Sequence, residues 1–122
     1  MLQIKRAYDP AASTDGQRFL VDRLWPRGVK KETLALSAWL KDAAPSTGLR
    51  NWYHHEPAFW DEFCQRYFKE LEANPASWQP LFEAARQGNV TLLYSARHAE
   101  QNNAVALKEF LITKLRGADR PL

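Results

Sequence analysis

Short apolar segments in four parts of the chain predict the strands of a sheet. Residues 2–6 alternate apolar and polar positions, which is typical of a half-buried strand. Residues 19–21 form a short apolar segment, and residues 90–94 are apolar without alternation, the pattern of a central strand covered on both faces. Residues 34–40 repeat apolar positions every two residues, which predicts a third strand over 35–40. A short helix is the alternative prediction for this segment.

Apolar positions that recur at intervals of three and four residues predict helices in the rest of the chain. The clearest helix covers residues 57–73, and its inward positions follow this spacing without a gap: Trp60, Phe63, Cys64, Tyr67, Phe68 and Leu71. Three further helices are predicted, namely a short one that Ser46 or Thr47 caps and that ends near His54 and His55, one from Ser77 that Gly88 closes, and one from about Glu100 to Leu115. Residues 9–16 are rich in Pro, Ser, Thr, Asp and Gly and are predicted to form a surface loop.

Strands and helices therefore follow one another along the chain in the order typical of an α/β protein. The most direct arrangement is a small, largely parallel sheet flanked by helices on both faces, a Rossmann-like layering. A chain of 122 residues is long enough for one compact domain with a substantial core. We assign residues 1–115 to that single domain and expect residues 116–122 to form a frayed tail.

Composition and charge narrow the classes of function. The formal net charge of +3 is mild, so it is compatible with acidic ligands but does not by itself indicate nucleic-acid binding. No apolar run approaches the roughly 18 residues of a membrane span, and the N-terminus lacks the basic and then apolar pattern of a signal peptide. The single cysteine excludes an internal disulfide and fits a reducing compartment, so we expect a cytoplasmic protein. The five tryptophans can fill a core or serve a homodimer face.

The most unusual segment covers residues 20–28, where an apolar strand runs into a charged and rigid turn. Pro26 fixes its own φ and restricts the residue before it to an extended conformation. Gly28 can adopt backbone angles that other residues avoid. The turn is therefore expected to hold Arg23 and Arg27 in place.

The same edge of the sheet is expected to collect further polar side chains. Ligands of parallel α/β sheets bind beyond the carboxyl ends of the strands, and the turns at 22–28, 41–46 and 95–98 would meet there. The residues predicted to meet carry basic, hydroxyl or imidazole side chains: Arg23, Arg27, Lys41, Ser46, Arg50, Arg97 and His98. Arginine offers a planar fork to phosphate or carboxylate, and the N-terminus of the last helix adds backbone N–H groups. The pattern predicts a site for an anion, with Asp22 or His98 as candidate catalytic groups for proton transfer and Asp22 also able to orient an arginine.

Several of these residues also have a structural interpretation. Asp22 and Arg23 can form a buried ion pair that fixes the end of the strand. Arg50 can simply pair with Asp42 or Glu56. Both interpretations are open at the level of the sequence.

No metal or cofactor is expected. His54 and His55 are adjacent and point apart on a helix, and His98 is distant in sequence, so zinc is not predicted. Cys64 lies in the apolar stripe of the long helix and is expected to act as a small hydrophobe rather than a nucleophile. The chain has no Walker loop, no Gly-x-Gly-x-x-Gly and no Gly-x-Ser-x-Gly, so the common nucleotide and acyl-transfer signatures are absent.

Three long segments, at residues 15–28, 39–46 and 91–97, closely resemble the YeaO-like proteins, a bacterial domain-of-unknown-function family that is number 488 in its series. The resemblance extends from Ile4 to about Leu115. It implies a compact single-domain α/β fold, and it implies no established activity.

The family pattern bears on the candidate site in two ways. It is rich in arginines at the positions of Arg23, Arg27 and Arg50. The wider family often has Cys and His around the last turn and helix, where this chain has Tyr94 and Asn103. That difference weakens any mechanism that needs a thiol or an imidazole there.

We therefore expect a protein that binds or acts on an anionic small molecule through arginines at the carboxyl edge of the sheet, and we leave open whether a reaction is catalysed. A nucleic-acid-binding module is one alternative, and it would present a broad basic face that includes Lys5, Arg6, Lys30, Lys31 and Arg50. A non-enzymatic interaction protein is the other, and its arginines would be buried and paired.

Overall fold

The computed structural model describes residues 1–118, which form a four-stranded, all-parallel sheet flanked by five helices. The strands are β1 (Leu2–Arg6), β2 (Gln17–Leu20), β3 (Ala38–Trp39) and β4 (Val90–Tyr94). The α-helices are α1 (Lys31–Leu34), α2 (Thr47–Tyr53), α3 (Trp60–Ala73), α4 (Gln79–Gln87) and α5 (Asn103–Ala118). Single 3₁₀ turns lie at Ser13–Asp15, Lys41–Ala43, Pro57–Phe59 and Pro75–Ser77. The predicted α/β class and parallel sheet are confirmed.

Strand β4 lies inside the sheet, as its unbroken apolar sequence predicts. The strand order is β1-β4-β2-β3, and all five residues of β4 are buried. Leu92 pairs with Ile4 on one side and with Phe19 on the other. Because both neighbours run parallel to β4, the carboxyl ends of these three strands reach the same edge.

The third strand is shorter than predicted. The expected strand over 35–40 is limited to Ala38–Trp39, which pair with Phe19 and Leu20 of β2. Leu34 instead ends the short helix α1, and Ala35 follows with a left-handed φ of 49°. The two-residue alternation of the sequence therefore crosses a helix end and a turn before the strand begins.

Two helix starts depend on side-chain caps. Of the two predicted caps, Ser46 and Thr47, Ser46 caps α2, and its Oγ accepts a hydrogen bond from the backbone N–H of Leu49 at 3.2 Å. The last helix begins at Asn103 rather than near Glu100, because Asn102 Oδ1 accepts the N–H of Val105 at 3.1 Å and so caps it. This helix also continues through residues 116–118, which we expected in the tail; the rest of that tail, residues 119–122, lies outside the described residues.

The two faces of the sheet bury cores of unequal size. The larger core packs α2, α3, α4 and α5 on one face, and the smaller one consists of Ala7, Leu20, Leu34 and Leu93. Adjacent residues of β4 divide between them, since Leu92 points into the larger core and Leu93 into the smaller one. Within residues 1–118, none of the helices combines the length and apolar content that a membrane crossing needs.

A buried ionic cluster, consisting of Lys5, Asp15 and Arg18, lies at the loop that leads into β2. Asp15 and Arg18 are 2% and 4% exposed. Asp15 Oδ2 accepts from Arg18 Nη1 at 2.5 Å, and Oδ1 accepts from Lys5 Nζ at 3.1 Å. The predicted surface loop over residues 9–16 is therefore wrong at its end, where Asp15 is buried.

Helix α2 ends on a histidine in a conformation that favours glycine. His54 is exposed, has a φ of 48°, and donates its backbone N–H to the carbonyl of Arg50 at 3.2 Å. Because a side chain in the left-handed region is strained, we expect His54→Gly to raise the free energy of unfolding by about 0.5–1 kcal/mol. Urea denaturation of His54→Gly and of His54→Ala measures this. The alanine variant keeps the strain, so an equal gain in both variants would contradict the explanation.

Candidate functional site

A cleft of about 280 Å³ opens at the carboxyl edge of the sheet. Its walls come from the turns that follow β1, β2 and β4, from the segment before α2, and from the ends of α2 and α5. The lining includes four residues predicted for the site: Asp22, Arg23, Arg27 and Arg50. The turn after β2 contributes Asp22, Arg23 and Arg27 to this lining, whereas Arg50 comes from α2.

Asp22 joins the strands to the last helix. Its Oδ2 accepts from the backbone N–H of Ser95 at 2.9 Å and from Ser95 Oγ at 2.7 Å. Its Oδ1 accepts from Asn103 Nδ2 at 3.0 Å, and Asn103 also donates to the carbonyl of Val21 at 3.1 Å. Three donors therefore stabilise the negative charge of Asp22 without an arginine.

Arg23 spans the gap between the β2 turn and the segment before α2. Its Nε and Nη2 donate to the carbonyls of Pro45 and Ala44 at 3.3 and 3.4 Å. Its nearest carboxylate is that of Asp42, at 4.0 Å, which is 82% exposed. The ion pair between Asp22 and Arg23 that the sequence left open does not form.

Arg27 and Arg50 are exposed and have no ion-pair partner within residues 1–118. The alternative pairing of Arg50 with Asp42 or Glu56 is therefore not observed. The backbone at Arg27 is nevertheless well held, because the hydroxyl of Tyr8 donates to its carbonyl at 3.0 Å.

The turn that carries Arg27 is further braced from both sides. The indole N–H of Trp25 donates to the carbonyl of Val29 at 2.8 Å and so closes the turn across Pro26. Gly28 has a φ of 77°, in the left-handed region that other residues avoid. This agrees with the predicted need for a glycine at this position.

Four other predicted residues lie outside this lining. Ser46 Oγ donates to Glu70 Oε2 at 2.5 Å, and Ser46 and Arg23 both line a second cavity. Lys41 Nζ lies 4.2 Å from the ring centroid of Trp39. Arg97 and His98 lie in the segment between β4 and α5, because α5 starts later than predicted.

His98 has a structural contact in that segment. Its Nδ1 accepts the backbone N–H of Gln101 at 3.0 Å and that of Glu100 at 3.3 Å. Backbone N–H groups that we expected at the ligand are thus occupied within the chain itself. The roles predicted for Arg97 and His98 stay predictions.

The cleft also contains residues that sequence reasoning did not select, chiefly Tyr8, Tyr53 and His55. Tyr8 could have been found, because it follows β1 and parallel strands end at one edge. His55 could not, since its position depends on two successive left-handed residues at the end of α2, with φ of 48° and 55°.

Burial raises the pKa of the Tyr53 hydroxyl in the cleft and of the Cys64 thiol outside it, so neither group is activated as a nucleophile or base. The pKa of Tyr53 is raised by desolvation, and its hydroxyl donates to the carbonyl of Gln101 at 3.2 Å. Burial raises the pKa of Cys64 to about 11, with the carboxylates of Glu109 and Asp61 adding to the effect. A protonated, buried thiol outside the cleft behaves as the small hydrophobe that we expected.

The part of the chain that the structure describes holds no group of three or more His, Cys, Asp and Glu side chains that could bind a metal ion. The chemistry available in the cleft is therefore that of guanidinium groups, hydroxyls, an imidazole and one carboxylate.

Comparison with known proteins identifies relatives along almost the full chain. A family model described as the inactive DUF488-N3 subclade matches residues 1–121. The uncharacterised protein YeaO of Escherichia coli (strain K12) is 46% identical over 110 residues, which cover 90% of this chain and 96% of that protein. The uncharacterised proteins Mb3100c of Mycobacterium bovis and Rv3073c of Mycobacterium tuberculosis are each 39% identical over 110 residues, or 90% of this chain and 92% of theirs. No solved structure matches. The chain therefore belongs to the YeaO-like DUF488 family.

Proposed function

We propose that this protein binds a small anionic molecule in the cleft, with Arg23, Arg27 and Arg50 as the residues that recognise its phosphate or carboxylate group. One observation carries the proposal: Arg27 and Arg50 line the same cleft, are exposed, and have no carboxylate partner within the described chain. Guanidinium groups that line one cleft without a counter-charge favour the binding of an anion there.

The charge balance of the cleft supports an anionic ligand. Asp22 is the carboxylate of the lining, and its charge is stabilised by Ser95 and Asn103. With three arginines against this one aspartate, the lining keeps an excess of positive charge. A walled cleft with an excess of positive charge concentrates anions more strongly than a flat surface would.

We propose binding rather than catalysis as the activity. All three donors that contact the Asp22 carboxylate belong to Ser95 and Asn103, so the group is committed to holding the cleft together. The subclade whose model the chain matches is described as inactive. Cytoplasmic location and homodimer formation stay predictions and do not enter this proposal.

Titration calorimetry with phosphate, sulfate and acetate at low ionic strength tests the proposal. We expect at least one anion to bind wild type, and Arg27→Ala and Arg50→Ala each to weaken it about tenfold or more, because each removes a charged hydrogen-bond donor. Arg116→Ala is the matched control. Arg116 is exposed near the C-terminal end of α5, whereas Asn103, at the opposite end of that helix, lines the cleft.

Two outcomes would contradict this function. If none of the anions binds, or if Arg116→Ala weakens binding as much as Arg27→Ala does, the arginines do not form a site. If only duplex DNA binds and added salt abolishes it, the nucleic-acid alternative is correct instead.

A further inference from the structure

The cleft has an apolar wall in addition to its arginines. We infer that its ligand is an amphiphilic anion: one acidic group on an apolar body about the size of a single ring, which lies against Tyr8 and Leu24. This inference rests on the proposed function and deepens it, because it specifies the part of the ligand that the arginines do not contact.

Exposed apolar side chains are concentrated at this cleft. Within residues 1–118, four large apolar residues are exposed, and two of them, Tyr8 at 45% and Leu24 at 59%, line the cleft. The other two are Met1, the first residue, and Phe59, which stacks on Trp52 at 4.9 Å between ring centroids. Apolar side chains that gather in a concave site mark a surface that a ligand covers.

The wall continues from these two residues into the interior. The same lining includes apolar side chains that form its sides and floor: Trp25, Pro26, Pro45, Tyr53 and Phe63. Phe63 and Tyr53 are 2% and 3% exposed, so the floor of the cleft is part of the larger core. A ligand body placed here would lose contact with water on more than one side.

The apolar wall is held rigidly next to the arginines. The ring of Tyr8 lies 4.8 Å from the guanidinium of Arg6, and its hydroxyl donates to the carbonyl of Arg27. Trp25 is fixed by its bond to Val29 and by the ring of Trp39, whose centroid lies 5.4 Å away. Because these contacts exist before a ligand arrives, little conformational entropy is lost on binding.

The size of the cleft limits the ligand. A volume of about 280 Å³ lies at the lower end of small-molecule sites. It suits one ring and one acidic group rather than a long chain or a dinucleotide. A phosphate monoester or carboxylate of a single apolar ring fits both the charge and the wall.

Calorimetry with two phosphate monoesters of equal charge tests the inference. We expect phenyl phosphate to bind wild type about tenfold more tightly than glycerol phosphate, because only the phenyl ring gains from leaving water. In Leu24→Ala the ratio of the two affinities is expected to fall about threefold. Phe59→Ala is the matched control, since it removes an exposed apolar side chain outside the cleft and leaves the ratio unchanged.

The outcomes separate this inference from the proposed function. Equal affinities for the two esters would overturn the inference while the anion site stands. Failure of both esters to bind wild type would overturn the proposed function and the inference with it. A preference for phenyl phosphate that Leu24→Ala does not reduce would show that the apolar body lies elsewhere, which also overturns the inference.

Discussion

Replacing Gly16 by alanine is expected to lower the free energy of unfolding by about 3 kcal/mol or more. Gly16 has a φ of 64° and a ψ of −137°, a combination that is essentially restricted to glycine. A Cβ at this position would lie 2.1 Å from the carbonyl oxygen of Asn89. That oxygen accepts the backbone N–H of Gln17 at 3.0 Å, so neither side can move without loosening the start of β2 beside β4.

Two other glycines separate the causes of this effect. Gly28→Ala keeps the positive φ, 77°, but meets no atom within 4 Å, so we expect a loss of only about 1–2 kcal/mol. Gly48→Ala has neither problem and lies in α2, where alanine is expected to be neutral or stabilising by up to about 1 kcal/mol. Urea denaturation of the three variants gives the comparison. A loss in Gly16→Ala no larger than that in Gly28→Ala would contradict the role of Asn89.

Replacing Asp15 by asparagine is expected to lower the free energy of unfolding by about 3 kcal/mol. The carboxylate is 2% exposed and accepts from Arg18 and Lys5 and from the backbone N–H of Ala12 at 3.0 Å. Arg18 is itself buried, and its Nε donates to the carbonyl of Leu34 at 2.9 Å. Asp15→Asn therefore leaves a buried guanidinium without its counter-charge, which is costlier than the loss of a contact.

An exposed ion pair provides the control for this variant. Glu62 pairs with Arg66 one turn along α3, and both side chains are about half exposed, at 51% and 52%. Glu62→Gln makes the same chemical change and is expected to cost no more than about 0.5 kcal/mol. Equal losses in the two variants would show that the burial of Asp15 does not matter.

The same carboxylate predicts how stability depends on acid. The backbone N–H of Ala12, together with Lys5 and Arg18, lowers the pKa of Asp15, although burial opposes them. The folded pKa is thus below the unfolded one, so this contribution is full above the unfolded value of about 3.9 and is lost as the pH falls through the folded pKa. Denaturation of wild type between neutral and acid pH should show a loss that Asp15→Asn lacks. Parallel curves for both proteins would refute the assignment.

Much of the fold follows from local patterns. The unbroken apolar sequence of residues 90–94 predicted a central strand, and β4 is one. The helical spacing from Trp60 to Leu71 predicted α3, and residue type alone limited the cap of α2 to Ser46 or Thr47. Such features depend on periodicity and on side chains within a few positions of one another, which a sequence displays directly.

The sequence predicts a position in the candidate site most directly for residues that follow a strand. Asp22, Arg23 and Arg27 follow β2 directly, so a parallel sheet places them at its carboxyl edge. Arg97 and His98 follow β4 at a similar distance in sequence yet lie outside the lining. Asn102 caps α5 and α5 begins only at Asn103, so Arg97 and His98 belong to the irregular segment between β4 and α5. The shape of a connection depends on contacts that the strand pattern does not contain.

The sequence by itself determined the class of the fold, the central strand, the main helices and the rigid turn that carries Arg23 and Arg27. Only the tertiary structure decided the burial of Asp15 and Arg18, the close approach of Asn89 to Gly16, and the apolar wall of Tyr8 and Leu24 beside the arginines. The physical reason is sequence distance. Periodicity and capping act between neighbours in the chain, whereas burial, ion pairing and a binding cleft arise from residues that meet only after the sheet has formed.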